Sequence, residues 1–125
     1  MIVIDKQSRV PVYEQVIEQF EKLIISGALL PNTQIPSVRA LALELTINPN
    51  TVQKAYLELE NSGVTYSVTG IGRFVSKDAK EKIEKRSEKR LEFLRDTLKR
   101  IRLSGVEKQT LLSLIEDIYK ENNND

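Results

Sequence analysis

Asn48, Asn50, Thr51, Gln53 and Lys54 form a polar run broken only by Pro49 and Val52. An amide side chain presents a donor and an acceptor together, the pairing that reads adenine in the major groove of DNA, and threonine adds a methyl contact or a hydrogen bond. At the opening of a helix the same run directs backbone N–H groups at a phosphate. Alone, these residues would serve equally as a cap and a solvated helix surface, so the neighbouring elements decide. Arg39 stands two residues after Ser37, a natural N-cap. Val38 and Leu41 have inward character, so Arg39 points outward, toward a phosphate or toward a carboxylate such as Glu44 or Glu58. Thr69, Gly70 and Gly72 then precede Arg73. The two glycines suit the tip of a hairpin, where Arg73 would reach a minor-groove edge or a phosphate. They do not make a dinucleotide site, because no helix follows them.

These side chains need a scaffold. Residues 11–27 read as a first helix, with apolar residues at 13, 16, 17, 20, 23 and 24 on one stripe. Pro11 suits its first turn and Gly27 the left-handed position past its end. Pro31 and Pro36 exclude a helix between them, leaving a connector. Ser37 caps a second helix with Val38, Leu41, Ala42 and Leu45 inward, and Asn48 caps a third with Pro49 at its first position and Val52, Ala55, Tyr56 and Leu59 inward. Residues 64–75 alternate as a β-hairpin, with Phe74 closing the core. Helix, tight turn, helix and hairpin make a winged helix-turn-helix, in which one helix of the motif crosses the DNA backbone and the next enters the major groove.

Beyond residue 77 the composition changes. Residues 77–89 are dense in charge, with Ala79 and Ile83 as the apolar exceptions. Leu91, Leu94, Leu98 and Ile101 then recur at heptad-like spacing. Ser104 to Glu107 fits a capping box, and Leu111, Leu112, Ile115, Ile118 and Tyr119 line one face of a last helix. Residues 122–125 read as a disordered end. The expected fold is mainly α with a small β-hairpin: a winged helix-turn-helix domain over 1–77 and a helical dimerisation tail over 78–125. A two-helix hairpin is too small to be stable alone. Self-association through Leu91, Leu94, Leu98, Ile101, Leu111, Ile115 and Ile118 would cover its apolar face and let a homodimer read two half-sites.

Composition narrows the chemistry further. The chain has no Cys and no His, which removes thiolate metal sites, disulfides and the commonest general base. Its acidic residues are spread along helical faces, so neither a catalytic centre, a metal site nor a cofactor is expected. No apolar run approaches the roughly 20 residues of a membrane span, and the N-terminus lacks a secretory signal, so a cytoplasmic protein is expected. Net charge is only +1. Residues 1–77 carry seven basic and seven acidic side chains, so any affinity for DNA rests on where charges sit.

Four segments carry a family resemblance: 11–16 (Pro-Val-Tyr-Glu-Gln-Val), 35–42 (Ile-Pro-Ser-Val-Arg-Ala-Leu-Ala), 48–56 (Asn-Pro-Asn-Thr-Val-Gln-Lys-Ala-Tyr) and 70–75 (Gly-Ile-Gly-Arg-Phe-Val). In this order they resemble the GntR family of bacterial transcription regulators, and the short helical tail resembles its YtrA-like subfamily. The resemblance implies DNA contacts from Arg39, from Asn48, Asn50, Thr51 and Gln53, and from the wing tip at Thr69 and Gly70. It implies dimerisation through two C-terminal helices, and repression of an operon that holds the regulator's own gene and often a membrane transporter. Three features depart from the family pattern, one of them, residues 29–34 (Leu-Leu-Pro-Asn-Thr-Gln) in place of a more usual Gly-Asp turn, expected to be structural only. Ser67, Val68 and Thr69 stand where basic residues usually precede the wing glycine, and Arg73 stands where Thr or Ser is usual. Minor-groove grip is therefore expected to be altered or moved to Arg73.

The alternative from another class is a winged-helix module for protein–protein assembly with no specific DNA target, which the balanced charge of residues 1–77 favours. No small-molecule effector is read from the sequence. The tail has little material for an enclosed pocket of some hundreds of Å³, which leaves a dimer-interface cavity as the place for one.

Overall fold

A computed structural model describes residues 1–122. Helix α1 spans Val12–Ile25, β1 Gln34–Ile35, α2 Val38–Leu45, α3 Pro49–Asn61, β2 Thr65–Val68, β3 Gly72–Val75, α4 Ala79–Leu103 and α5 Lys108–Asn122. The chain divides into two compact units, Met1–Arg86 and a second that begins at Ser87.

The first unit is built on the three expected helices. Val16, Ile17, Phe20 and Ile24 of α1, Leu41 and Ala42 of α2, and Val52, Ala55, Tyr56 and Leu59 of α3 are buried in one core. Phe20 and Tyr56 meet edge to face, centroids 5.7 Å apart, an arrangement that aromatic quadrupoles favour. Three features go beyond the sequence reading. Ile2 is buried in this core and Ile4 packs on it, so the N-terminal segment is part of the domain. The connector after α1 contributes β1, and the sheet has three antiparallel strands in the order β1-β3-β2. Finally, α4 begins within this unit: Ala79 and Ile83, four apart and hence on one face, are 1% and 6% exposed against the core. Arg86 adds an ion pair to Glu21 of α1 at 3.3 Å. The compact unit therefore closes at Arg86, not at residue 77.

In the second unit the rest of α4 and the whole of α5 carry the heptad-like residues. The capping box does not form: the Ser104 hydroxyl donates back to the Arg100 carbonyl at 3.4 Å, and Gly105, at φ 86°, makes the turn into α5. Helix α5 includes Asn122, and residues 123–125 of the expected disordered end lie outside the described residues. The apolar stripe is largely uncovered. Leu91 is 64% exposed and Leu94 48%, while Leu98, Ile101 and Leu111 are half-buried. Ile115 and Ile118 are exposed.

Candidate nucleic-acid interface

The helix-turn-helix is held by its caps. The Ser37 Oγ accepts from the Ala40 N–H at 3.1 Å, and Thr46, at φ 55°, ends α2 in the left-handed conformation. Ile47 N–H donates to the Ala42 carbonyl at 3.0 Å, which folds the turn onto α2. Asn48 then caps α3, its Oδ1 accepting from the Asn50 N–H at 2.8 Å. The two caps leave the Ser37 hydroxyl proton and the Asn48 NH2 group to donate outward.

Helix α3 opens differently from the sequence reading in one respect. Free amides were expected there for a phosphate, but Pro49 has no N–H, that of Asn50 is taken by the cap, and that of Thr51 donates to the Asn48 carbonyl at 3.0 Å. Recognition at this end therefore falls to side chains. Arg39 and Asn50 are exposed, Thr51 and Gln53 half-buried. Arg39 makes no ion pair among the described residues, so neither Glu44 nor Glu58 occupies it. Lys54 is exposed but folded back, its ammonium 3.9 Å from the centroid of the Tyr13 ring. The Tyr13 hydroxyl meets Glu14 Oε1 at 3.2 Å. Desolvation, this hydrogen bond and the charges of Glu14 and Glu58 push the phenol above its ordinary pKa.

The wing is closed by Ile71 N–H donating to the Val68 carbonyl at 3.0 Å, with Thr69, Gly70 and Ile71 exposed at the tip. Gly70 has φ 78° and Gly72 φ 148°. A Cβ on Gly72 would collide with Gln34 Nε2, because the Gln34 amide crosses this glycine to donate to the Ile71 carbonyl at 3.1 Å. Gln34 is a supporting residue that sequence reasoning missed; its signal, one polar residue beside a short strand, is visible only once β1 pairs with β3.

Arg73 does not extend beyond the tip. Val75 is fully buried, and strand alternation puts Arg73 on the same inward face. Its guanidinium carbon lies 5.3 Å from the Tyr56 ring centroid, and its Nη1 is buried without a hydrogen-bond partner among the described residues. Phe74 consequently faces the other way and stacks on Tyr66 at 5.6 Å, rather than closing the core. The exposed wing tip thus carries no cation.

Residues 12–75 match the model of the family described as bacterial regulatory proteins, gntR family. The chain belongs to this family. This GntR protein is 38% identical to the HTH-type transcriptional repressor YtrA of Bacillus subtilis (strain 168) over 94% of its own length and 92% of the relative's. It also resembles, at 27% identity and TM-score 0.64, a GntR family transcriptional regulator from Listeria monocytogenes, covering 91% of this chain and 98% of that one. The DNA-binding domain of AraR, solved in complex with its operator ORX1, matches at 33% identity and TM-score 0.53 over 59% of this chain and 92% of that one.

The GntR chain is accordingly a DNA-binding transcription regulator and not an enzyme. Among the described residues no helix is long and apolar enough to cross a membrane.

Proposed function

We propose that this regulator is a cytoplasmic homodimeric repressor that binds a two-fold symmetric operator in its own operon. The observation that carries the reading is a pairing within one chain. A helix-turn-helix leaves the side chains of Arg39 and Asn50 without a hydrogen-bond or ion-pair partner among the described residues, and a tail leaves a leucine seam uncovered. Leu91, Leu94, Leu98, Val106 and Leu111 line an open groove of about 790 Å³ between α4 and α5. A second copy offers the matching stripe, and the resulting dimer presents two recognition helices to two half-sites. Repression is supported by the name of the Bacillus subtilis relative, and operator binding by the AraR complex.

Ser37 and Arg39 are assigned to the phosphate backbone, Asn48, Asn50, Thr51 and Gln53 to base edges or their immediate surroundings, and Thr69 and Gly70 to the minor groove, while Lys54 can join the backbone contacts only by leaving the Tyr13 ring. The test is footprinting on the chain's own promoter, with a salt titration on operator and random duplexes. The expected result is one protected region with two-fold symmetry. Arg39→Ala should weaken binding to every sequence about equally and lower the salt slope by about one. Absence of binding to any duplex would favour the protein–protein assembly module instead.

A further inference from the structure

The segment ahead of α1 is a built loop. Gln15 of α1 clamps both its ends: Oε1 accepts from the Asp5 N–H at 2.7 Å, and Nε2 donates to the carbonyls of Asp5 and Val10 at 2.9 and 2.8 Å. Asp5 is further engaged by the Gln7 N–H at 2.9 Å. From this loop Lys6 reaches forty residues along the chain and donates from Nζ to the Thr46 carbonyl at 3.2 Å. Thr46 is the left-handed residue between α2 and α3.

Thr46 also borders a shallow cleft of about 440 Å³ whose other walls include Arg39, Leu43 and Pro49. The Lys6 ammonium is therefore held on the carbonyl of a residue that lines the same cleft as Arg39. Lys6 is exposed and has no carboxylate partner among the described residues. An ammonium carries three protons, and Thr46 uses one.

Three other cations of this unit are less available. Arg73 is turned onto Tyr56, Arg86 is paired with Glu21, and Lys54 covers Tyr13. The amides opening α3 are already bonded. A domain with balanced charge needs its phosphate contacts from the few cations left at the helix-turn-helix.

We propose that Lys6 is a phosphate contact, making the N-terminal loop part of the DNA interface, with Lys6 and Arg39 flanking the same stretch of backbone. The proposal rests on the DNA-binding reading and adds a contact that the helix-turn-helix motif itself does not contain.

The experiment measures binding of the full chain to a random-sequence duplex across a salt series, for wild type, Lys6→Gln, Lys6→Arg and Lys22→Gln. Lys22 lies on α1 in its last turn and controls for net charge. Lys6→Gln should lower the slope of log K against log salt by about one, weakening all sequences alike, and Lys6→Arg should restore it. Lys22→Gln should leave the slope unchanged. An unchanged slope in Lys6→Gln, with a lower melting temperature, would assign Lys6 to holding the loop and overturn the proposal, as would an equal drop in Lys22→Gln. A wild-type protein without salt-dependent binding would remove the DNA-binding reading itself, a separate outcome.

Discussion

Arg73 and Tyr56 are joined across the first unit: the guanidinium carbon lies 5.3 Å from the ring centroid, and the same ring's hydroxyl donates to the Pro36 carbonyl at 2.8 Å. Pro36 immediately precedes the Ser37 cap of α2. One side chain of the recognition helix thus links strand β3 to the start of the helix that bears Arg39, so wing and helix-turn-helix share a support.

The first prediction follows from the direction of Arg73. Arg73→Ala should cost about 1 kcal/mol of stability, the size of a partly desolvated cation–π contact. The salt slope of DNA binding should be unchanged, since no phosphate partner is lost. Denaturant unfolding and a salt titration check both; a slope reduced by about one would put Arg73 on the backbone after all.

The second concerns Tyr56. Burial pushes its phenol well above the ordinary value and Glu44 adds to this, while Arg73 acts in the opposite direction. A pKa raised on folding means that the neutral phenol's contribution is complete below the unfolded value of about 10 and is lost as pH rises beyond it. Tyr56→Phe should cost about 1 kcal/mol at neutral pH through the lost hydrogen bond. Above pH of about 10, wild-type stability should fall more steeply than that of Tyr56→Phe. Urea midpoints across that range check the sign.

The helices were legible because their signals are local. Pro and Gly punctuate α1, Ser37 and Asn48 are caps, and the 3.6-residue stripes mark one face of each helix, so the positions of Arg39 and Asn50 followed. The wing was harder. Whether Arg73 or Phe74 faces the core depends on strand parity, which is set by burial of Val75 and by pairing with β1, a two-residue strand with no periodicity of its own. Ala79, Ile83 and Arg86 were hidden for a similar reason. A charge-dense stretch looks like a solvated connector until Glu21, far away in sequence, supplies a partner for Arg86. Lys6 near Thr46 is a contact across forty residues that no local pattern announces.

Asn50→Ala should relax base preference within a half-site at a cost of about 1–3 kcal/mol if a bidentate pair to a base is lost. Gln53→Ala should do so less, because Gln53 is half-buried one turn further along α3 while Asn50 is exposed at its opening. Competition binding on duplexes with single base changes measures this. Equal weakening on operator and random DNA would reassign Asn50 to a phosphate.

The last prediction concerns the tail. Leu98 lines the open groove with Leu91, Leu94 and Leu111, and Arg95, Lys99 and Arg102 also border it. Leu98→Glu places a carboxylate in the seam. Arg102, four residues on along α4, can pair with it on the free helix, so the isolated chain tolerates the change. In a dimer the same carboxylate would be buried against an apolar stripe, which is strongly disfavoured. The expected product is a monomer with a folded first unit. Its operator affinity should fall by several orders of magnitude, since one half-site then holds alone, while binding of that unit to random DNA keeps its per-domain salt dependence. Sedimentation equilibrium at micromolar to tens of micromolar concentration decides the oligomeric state. A wild-type chain that sediments as a monomer throughout that range would remove the dimer, and reading of two half-sites with it.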